Sequence, residues 1–551
     1  MHYKDEYKRW LNSPVISENF REELLTIASN EKEIQDRFHT HLSFGTGGLR
    51  GVIEPGTNRI NIYTIRRATQ GLANYILSLG TNAAKKGVVI AYDCRRMSRE
   101  FCSETAAVLN ANGICTYVFD DLRPTPLLSF AVRYLNCIAG IVITASHNPP
   151  EYNGYKVYWE DGGQIPPQRA EAITFEINKI SNYLQIKTIT KTEASGLFRE
   201  AGSKVDEAYT QAVLEQRLYV EPSLLSVVFS PLHGAGNIPV RNVLKAAGYE
   251  NVYVVPEQEQ SDGNFPTVKY PNPEEREVFT LAEKLAVEKN ADIIICTDPD
   301  ADRLGVAVKD SECGYRYLNG NMTGVLMMEY LLSQKEHLSE NDAVISTIVS
   351  TDMAKAIADA YGITYFEVLT GFKYIGEKIG EFEKSGSHTY LFGFEESYGY
   401  LAGDYVRDKD AVASALLVCD MASYYGRQNM TLWDVLVAMY KKYGYYKETL
   451  ESITLKDKEG LRNNPPQKIA NISVVERRDY MEPIHSLPLS DVLYYTLADG
   501  SWVCVRPSGT EPKTKMYFGT KVSGWNTIKE ADEKANEKIM AMQLDMRMKG
   551  K

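Results

Sequence analysis

The run Thr144-Ala145-Ser146-His147-Asn148-Pro149-Pro150 sets a small hydroxyl beside a histidine and ahead of two prolines. Prolines end a helix or a central strand, so this loop is stiff and the Ser146 hydroxyl is held in place. Alone, a Ser-His pair reads more readily as a polar turn whose side chains bond their own backbone. Its company along the chain changes that reading. Asp298, Asp300 and Asp302 stand at alternate positions in Thr297-Asp-Pro-Asp-Ala-Asp-Arg303, and Pro299 is expected to turn the chain so that the carboxylates converge. Three hard oxygen ligands without histidine or cysteine suit Mg²⁺ rather than zinc; without other support they would be a solvated acidic loop. Arg506-Pro-Ser508-Gly509-Thr510-Glu-Pro-Lys513 offers two cations, two hydroxyls and backbone NH groups, which suits a phosphate monoester held by a bidentate arginine and a lysine. Glu395 and Ser397, two apart, can hydrogen-bond vicinal hydroxyls of a sugar, and Arg407 and Lys409 follow with charge for a phosphate. Together these groups make a serine that accepts and returns a phosphoryl group beside a divalent cation.

Each of these runs needs an element to deliver it. Ile138–Ile143 and Asp292–Cys296 are short apolar runs that read as buried strands, and ligands of open α/β sheets bind beyond such carboxyl ends. Between 60 and 145 helices at 64–80 and 99–112 alternate with strands at Val88–Tyr92 and Cys115–Phe119. The alternation restarts near 205, through Val227–Phe229, the loop Ser230-Pro-Leu-His-Gly-Ala-Gly236, Val252–Val255 and helices at 239–247 and 274–289. A third round follows, with strands at Ala343–Ser346, Tyr365–Val368 and Tyr390–Phe392. Alternation of this kind builds a parallel sheet with helices on its faces. After about 445 the texture changes to a hairpin turning at Asp499-Gly500 and a closing helix over 524–547. Residues 1–40 read as helix. Phe44-Gly-Thr-Gly-Gly-Leu-Arg50-Gly51 has four glycines in the seven residues 45–51; it is either a tight turn or a backbone cradle for an anion around Arg50.

The expected architecture is α/β with four domains around a central cleft. Three similar α/β units with mixed or mainly parallel sheets span 1–203, 204–315 and 316–440, and a C-terminal α+β domain spans 441–551. The 551 residues, 44% hydrophobic and 24% charged, are those of an ordinary globular protein. Neither a signal-peptide core nor a run near the length of a membrane span is present, so a cytoplasmic enzyme is expected. Eight cysteines without a CxxC pair read as free, mostly buried thiols. A net charge of −11 argues against nucleic acid as a partner, although local basic loops can still hold an anion inside a cleft.

The constellation resembles the α-D-phosphohexomutase superfamily over nearly the whole chain. TASHNPPEYNGYK resembles its phosphoserine loop, DPDADR its metal loop, GFEES its sugar loop and RPSGTEPK its phosphate loop. GTGGLRG is similar to the amino-terminal phosphate-side loop, and TGFK to a further sugar-contacting loop. Length, the long amino-terminal helix and GFEES look most like the phosphoglucomutase branch. Gly47, where that branch carries serine, and one extra residue between Glu395 and Lys409 depart from it. The resemblance implies that Ser146 is the phosphoserine and, with Asp298, Asp300 and Asp302, a ligand of Mg²⁺. It implies Arg50 and Arg303 beside the transferring phosphate and Lys156 and Lys409 as candidate acid/base groups, with His147 in support. Thr370, Gly371, Glu395 and Ser397 would meet the sugar; Arg506, Ser508, Gly509, Thr510 and Lys513 would hold the non-reacting phosphate, with Arg407 nearby. The implied reaction interconverts glucose 1-phosphate and glucose 6-phosphate through glucose 1,6-bisphosphate. Mannose, glucosamine and pentose phosphates stay open as substrates. Two other readings compete: a phosphatase using an aspartate of Asp298-Pro-Asp300 as nucleophile, and a sugar-phosphate sensor without turnover.

Overall fold

The computed structural model describes residues 2–219, 224–310, 312, 314–453, 458–483, 487–507 and 514–549. The chain enters through three short helices, Tyr3–Asn12, Glu18–Thr26 and Glu31–Phe38, where a single helical stretch is expected. Pro14 disfavours the helical conformation at Ser13, which is extended, and Asn30 starts the third helix by accepting from Glu33 N at 3.2 Å. Together they bury Trp10 completely, edge-on to Phe38 and Tyr63.

Three mixed sheets follow. In the first, the spatial order is Gly48–Val52, Tyr152–Trp159, Ala139–Ile143, Val88–Tyr92, Thr116–Val118, Phe198–Glu200. Its first two pairings are antiparallel and the other three parallel. The second runs Gly314–Leu318, Leu304–Asp310, Ile293–Thr297, Val227–Ser230, Val252–Val254, again antiparallel at one end and parallel at the other. The third, Thr364–Val368, Asp342–Thr347, Thr389–Glu395, Gly399–Ala402, repeats the plan with one antiparallel edge strand. The central strands VVIAY, AGIVI and IIICT are buried at every residue, as strands covered on both faces must be. Their polar residues are therefore confined to the ends.

Two local expectations change. The glycine-rich run does not form only a turn: Gly48–Val52 is an edge strand, and a Cβ at Gly48 would lie 1.8 Å from Tyr155 O, so only glycine allows this approach. The strand expected to stop at Phe392 continues through Gly393 and Phe394 to Glu395.

The last sheet is antiparallel throughout, in the order Tyr445–Ile453, Thr514–Val522, Trp502–Pro507, Leu493–Leu497, Ile472–Asp479, Lys468–Ile469. The hairpin does turn at Asp499-Gly500, with Gly500 at φ +80°. The helix Ile528–Lys549 packs on this sheet. An apolar cluster of Ile348, Val349 and Leu369 from the third unit with Tyr480, Tyr494, Trp502 and Tyr517 joins it to the rest. The helices Gly320–Ser333 and Ala411–Gly426 are buried almost all round and lie in a core shared by the second and third sheets. Of the described cysteines, Cys94 is half-buried and the others are buried, all as thiols. No helix among the described residues is long and apolar enough to cross a membrane.

Candidate functional site

The buried strand Ala139–Ile143 ends at Thr144, whose Oγ1 donates to Asp93 Oδ2 at 2.6 Å and accepts from Ser146 N at 2.7 Å. Ser146 then takes φ +51°, a left-handed conformation that costs a non-glycine residue about 1–3 kcal/mol. What holds it there is Arg95. Its Nη2 donates to the carbonyls of Ser146 and Asn148, and its Nη1 to those of Pro149 (2.8 Å) and Tyr152 (3.0 Å). Arg95 and its partner Asp93 have no exposed side-chain surface. The loop is thus fixed by a buried guanidinium as well as by its prolines. Ser146 Oγ donates to Asp298 Oδ2 at 2.6 Å and lies 3.2 Å from His147 Nδ1. Burial, and then the cations Arg303 and Arg50, push the His147 imidazole well below its usual pKa, so the ring is neutral.

Asp298, Asp300 and Asp302 follow the strand Ile293–Thr297, are buried, and bring carboxylate oxygens within 4.8 Å of one another. The turn that gathers them is held from three sides. Thr125 N of the first unit donates to Asp300 O (2.9 Å), Ala235 N of the second to Pro299 O (2.8 Å), and Ala411 N of the third to Ala301 O (3.2 Å). Asp298 Oδ1 accepts from the amides of Asp302 (3.1 Å) and Arg303 (3.0 Å). Asp300 Oδ2 accepts from Thr125 Oγ1 (2.9 Å) and Lys156 Nζ (2.8 Å), and Lys409 Nζ lies 3.0 Å from Asp302 Oδ2. The remaining oxygens, Asp300 Oδ1 and Asp302 Oδ1, are buried without a partner. Buried polar atoms ordinarily have one. An all-oxygen set with unused lone pairs fits a hard divalent cation.

The charges explain the titration directions. Burial, then Asp300 and Asp302, raise Asp298 well above the usual carboxylate range. At Asp300 burial acts the same way, but Lys156 outweighs it and the carboxyl is lowered. For Lys409 burial is outweighed by Asp302, Asp408 and Glu395, and for Lys156 by Asp300 and Asp302, so both amines are raised and charged.

The sugar-facing candidates line a cleft of about 450 Å³ that includes Thr370, Gly371, Glu395, Lys409 and Arg506. Glu395, the last residue of its strand, is buried with its carboxylate 4.0 Å from Lys409 Nζ. Burial raises the Glu395 carboxyl above its usual range, and Lys409, Arg303 and then Ser397, in the turn that follows, oppose that rise. Arg506 Nη1 donates to Thr370 Oγ1, so the last sheet touches the third across the cleft. At the rim Arg50 Nη1 reaches Asn148 Oδ1 at 3.0 Å, and Arg303 bonds Glu274. Hollows of about 490 Å³ against the helix Ser98–Ala111 and about 520 Å³ beside Arg427 lie away from Ser146.

One candidate does not belong here. Arg407 has no exposed side-chain surface; its guanidinium bonds Glu383 (2.7 Å) and the carbonyls of Asp404 and Val406, so it braces the loop that carries Lys409. Ser508, Gly509, Thr510 and Lys513 lie outside the described residues. Four residues of the site were not singled out from the sequence. Asp93 and Arg95 follow the buried strand VVIAY just as the aspartates follow IIICT, so their place at a strand end is legible although the carbonyls that Arg95 grips are not. Asp408 accepts from Tyr158 OH (2.6 Å) and Gln164 Nε2 (2.8 Å) of the first unit and lies 3.3 Å from Lys409 Nζ. Lys515, half-buried and paired across the strands with Arg506, is lowered by burial and then by that neighbour.

Three successive family models match the chain: phosphoglucomutase/phosphomannomutase α/β/α domain I over residues 41–184, domain II over 207–314 and domain III over 319–443. Among curated proteins, phosphoglucomutase of Staphylococcus haemolyticus is 35% identical over 550 residues, covering 96% of this chain and 98% of that protein. Phosphoglucomutase of Staphylococcus aureus is 37% identical over 517 residues, covering 90% and 92%. Among solved structures, a phosphoglucomutase/phosphomannomutase family protein of Burkholderia thailandensis superposes with a TM-score of 0.70 at 20% identity, over 92% of this chain and 96% of that one.

Proposed function

The chain belongs to the phosphoglucomutase/phosphomannomutase family and is an intramolecular phosphotransferase of the phosphohexomutase class, and on that footing we propose that it interconverts α-D-glucose 1-phosphate and glucose 6-phosphate. The observation that carries the reading is the Ser146 hydroxyl 2.6 Å from Asp298 within a buried carboxylate cluster. The two relatives above, both named phosphoglucomutase, support glucose as the sugar.

Ser146 carries the phosphoryl group. The O6 hydroxyl of glucose 1-phosphate attacks that phosphorus and gives its proton to a base of the site, while the bond to Ser146 Oγ breaks and Oγ takes up a proton; the product is glucose 1,6-bisphosphate. The sugar turns, and Ser146 Oγ loses its proton to the site and attacks the phosphorus on O1; the phosphorus–O1 bond breaks, O1 takes up a proton, and glucose 6-phosphate leaves with the phosphoserine restored. Little covalent chemistry is asked of the protein beyond positioning and neutralising charge. Asp298, Asp300 and Asp302, with an oxygen on Ser146, would hold Mg²⁺, which supplies Lewis-acid polarisation of phosphoryl oxygens.

Lys156 and Lys409, both charged, stand on the carboxylates and serve as proton donors and counter-charges. His147, neutral and beside Oγ, can accept a proton, a supporting role. Arg50 and Arg303 face the transferring phosphate. Thr370, Gly371, Glu395 and Ser397 orient the sugar, and Arg506 with Ser508, Gly509, Thr510 and Lys513 takes the phosphate that is not moving. An aspartate nucleophile at 298 is disfavoured because both its oxygens already accept hydrogen bonds. The test is turnover of glucose, mannose, glucosamine and ribose 1-phosphates side by side; glucose is expected to have the highest kcat/KM, and preference for another sugar overturns the substrate assignment.

A further inference from the structure

The loop Ser230–Gly236 takes no part in the chemistry above, yet it is built with unusual constraint. Leu232 and His233 both adopt left-handed φ, +45° and +62°. A Cβ at Gly234 would lie 2.5 Å from Pro299 Cα, and Ala235 N donates to Pro299 O at 2.8 Å, so the loop seats the aspartate turn directly. Its one imidazole, buried to 3% exposure, spends both nitrogens elsewhere. His233 Nδ1 lies 2.9 Å from Gln260 O and Nε2 2.9 Å from Thr267 Oγ1.

The donors can be assigned. A carbonyl only accepts, so Nδ1 carries a proton, and in the neutral imidazole Nε2 then accepts from the Thr267 hydroxyl. Thr267 Oγ1 in turn accepts from Gln258 Nε2 (3.1 Å), Gln258 Oε1 accepts from Ser230 Oγ (2.6 Å), and Ser230 Oγ accepts from Leu232 N (3.2 Å). Every member has a partner and the chain runs in one direction, the arrangement that makes a buried polar network rigid.

What it anchors is the strap 256–268, which leaves the second unit and crosses to the first. There a Cβ at Gly263 would meet Arg96 N at 2.5 Å. Phe265, itself at φ +48°, places its ring 5.0 Å from the Arg95 guanidinium. Arg95 is the group that grips the Ser146 loop. One imidazole therefore sits between the two halves of the reacting centre, against the seat of Pro299 on one side and the strap that backs Arg95 on the other.

We propose that His233 is a positioning residue for phosphoryl transfer: by locking the strap 256–268 to the loop that seats Pro299, it fixes the span between Ser146 and Asp298. This rests on the reading of Ser146 as the phosphoryl carrier. The test compares the wild-type enzyme with Thr267→Val, which keeps the shape of the side chain and removes the hydroxyl, with Thr267→Ser, which restores it, and with His233→Phe. Thr267→Val and His233→Phe are expected to lower kcat at least tenfold with KM within about twofold, and Thr267→Ser to stay within about twofold of wild type. Hydrogen exchange provides a readout independent of the sugar: peptides covering 144–152 should exchange faster in Thr267→Val and not in Thr267→Ser. Unchanged exchange there, or wild-type kcat in Thr267→Val, overturns the proposal. An inactive wild type on glucose 1-phosphate sinks the substrate assignment instead and leaves the exchange comparison to decide.

Discussion

Arg506 on the antiparallel sheet donates to Thr370 Oγ1, two residues past the strand Thr364–Val368 of the third sheet, a bond across the cleft between two units. Its Nε is buried without a partner, so the guanidinium still has donor capacity to turn toward a phosphate. Arg506→Ala is expected to raise KM about 10–100-fold, since hydrogen bonds to a charged group are worth about 1.5–3 kcal/mol each. Steady-state kinetics at low and high salt check this, with the wild-type KM rising more with salt than that of the variant.

Arg95 is the second test. Arg95→Met removes the grip on four carbonyls and strands Asp93, both without exposed side-chain surface. Breaking a buried pair from one side destabilises by about 3–5 kcal/mol. Urea unfolding should show that loss, and kcat per folded molecule should fall as well, because Ser146 is no longer held at its left-handed φ.

That Arg95 had to be found in the structure, while the aspartates were legible, has a physical cause. A fully buried strand is an apolar run, and the polar residue that ends it is visible by contrast; Asp298 and Ser146 both follow such runs. Arg95 follows one too, but its work is done on carbonyls of residues 146–152, and long-range backbone acceptors leave no trace in sequence. Arg407 failed for the same reason in reverse. Beside Lys409 it counts as one more cation for a phosphate, and only the fold shows that Glu383, on the helix Phe372–Ser385, takes it. The strands at 468–479 were also illegible, because their exposed residues carry no clean alternation.

A third prediction concerns pH at the contact between the third unit and the last sheet. Glu448 accepts from Asn321 Nδ2 at 3.0 Å, and burial, with Asp352 adding repulsion, raises it to about 7. Burial, then Glu367, raises Asp352 to about 6, while Arg478 opposes. Folded-state pKa values above the unfolded ones mean that folding takes up protons, so stability falls as pH rises from about 4.5 to 7, by up to about 1.4 kcal/mol per unit for each group. The urea midpoint of Glu448→Gln should be less steep in pH across that window and higher at pH 8 than that of wild type.

Removal of divalent cations is the fourth. With two buried carboxylate oxygens unpartnered, dialysis against a chelator should reduce kcat by about 10²–10³-fold or more, and Mg²⁺ should restore it. Asp300→Asn, which keeps the volume and removes the charge, should need far more Mg²⁺ for half-maximal rate.

The covalent step at Ser146 is the most direct test of the proposed phosphoryl transfer. Wild-type protein incubated with glucose 1,6-bisphosphate and examined by intact-mass and peptide mass spectrometry should carry one phosphoryl group on the peptide containing Ser146, and Ser146→Ala should lose both that group and turnover of glucose 1-phosphate. A phosphoryl group on Asp298 instead, or turnover that survives in Ser146→Ala, would contradict it.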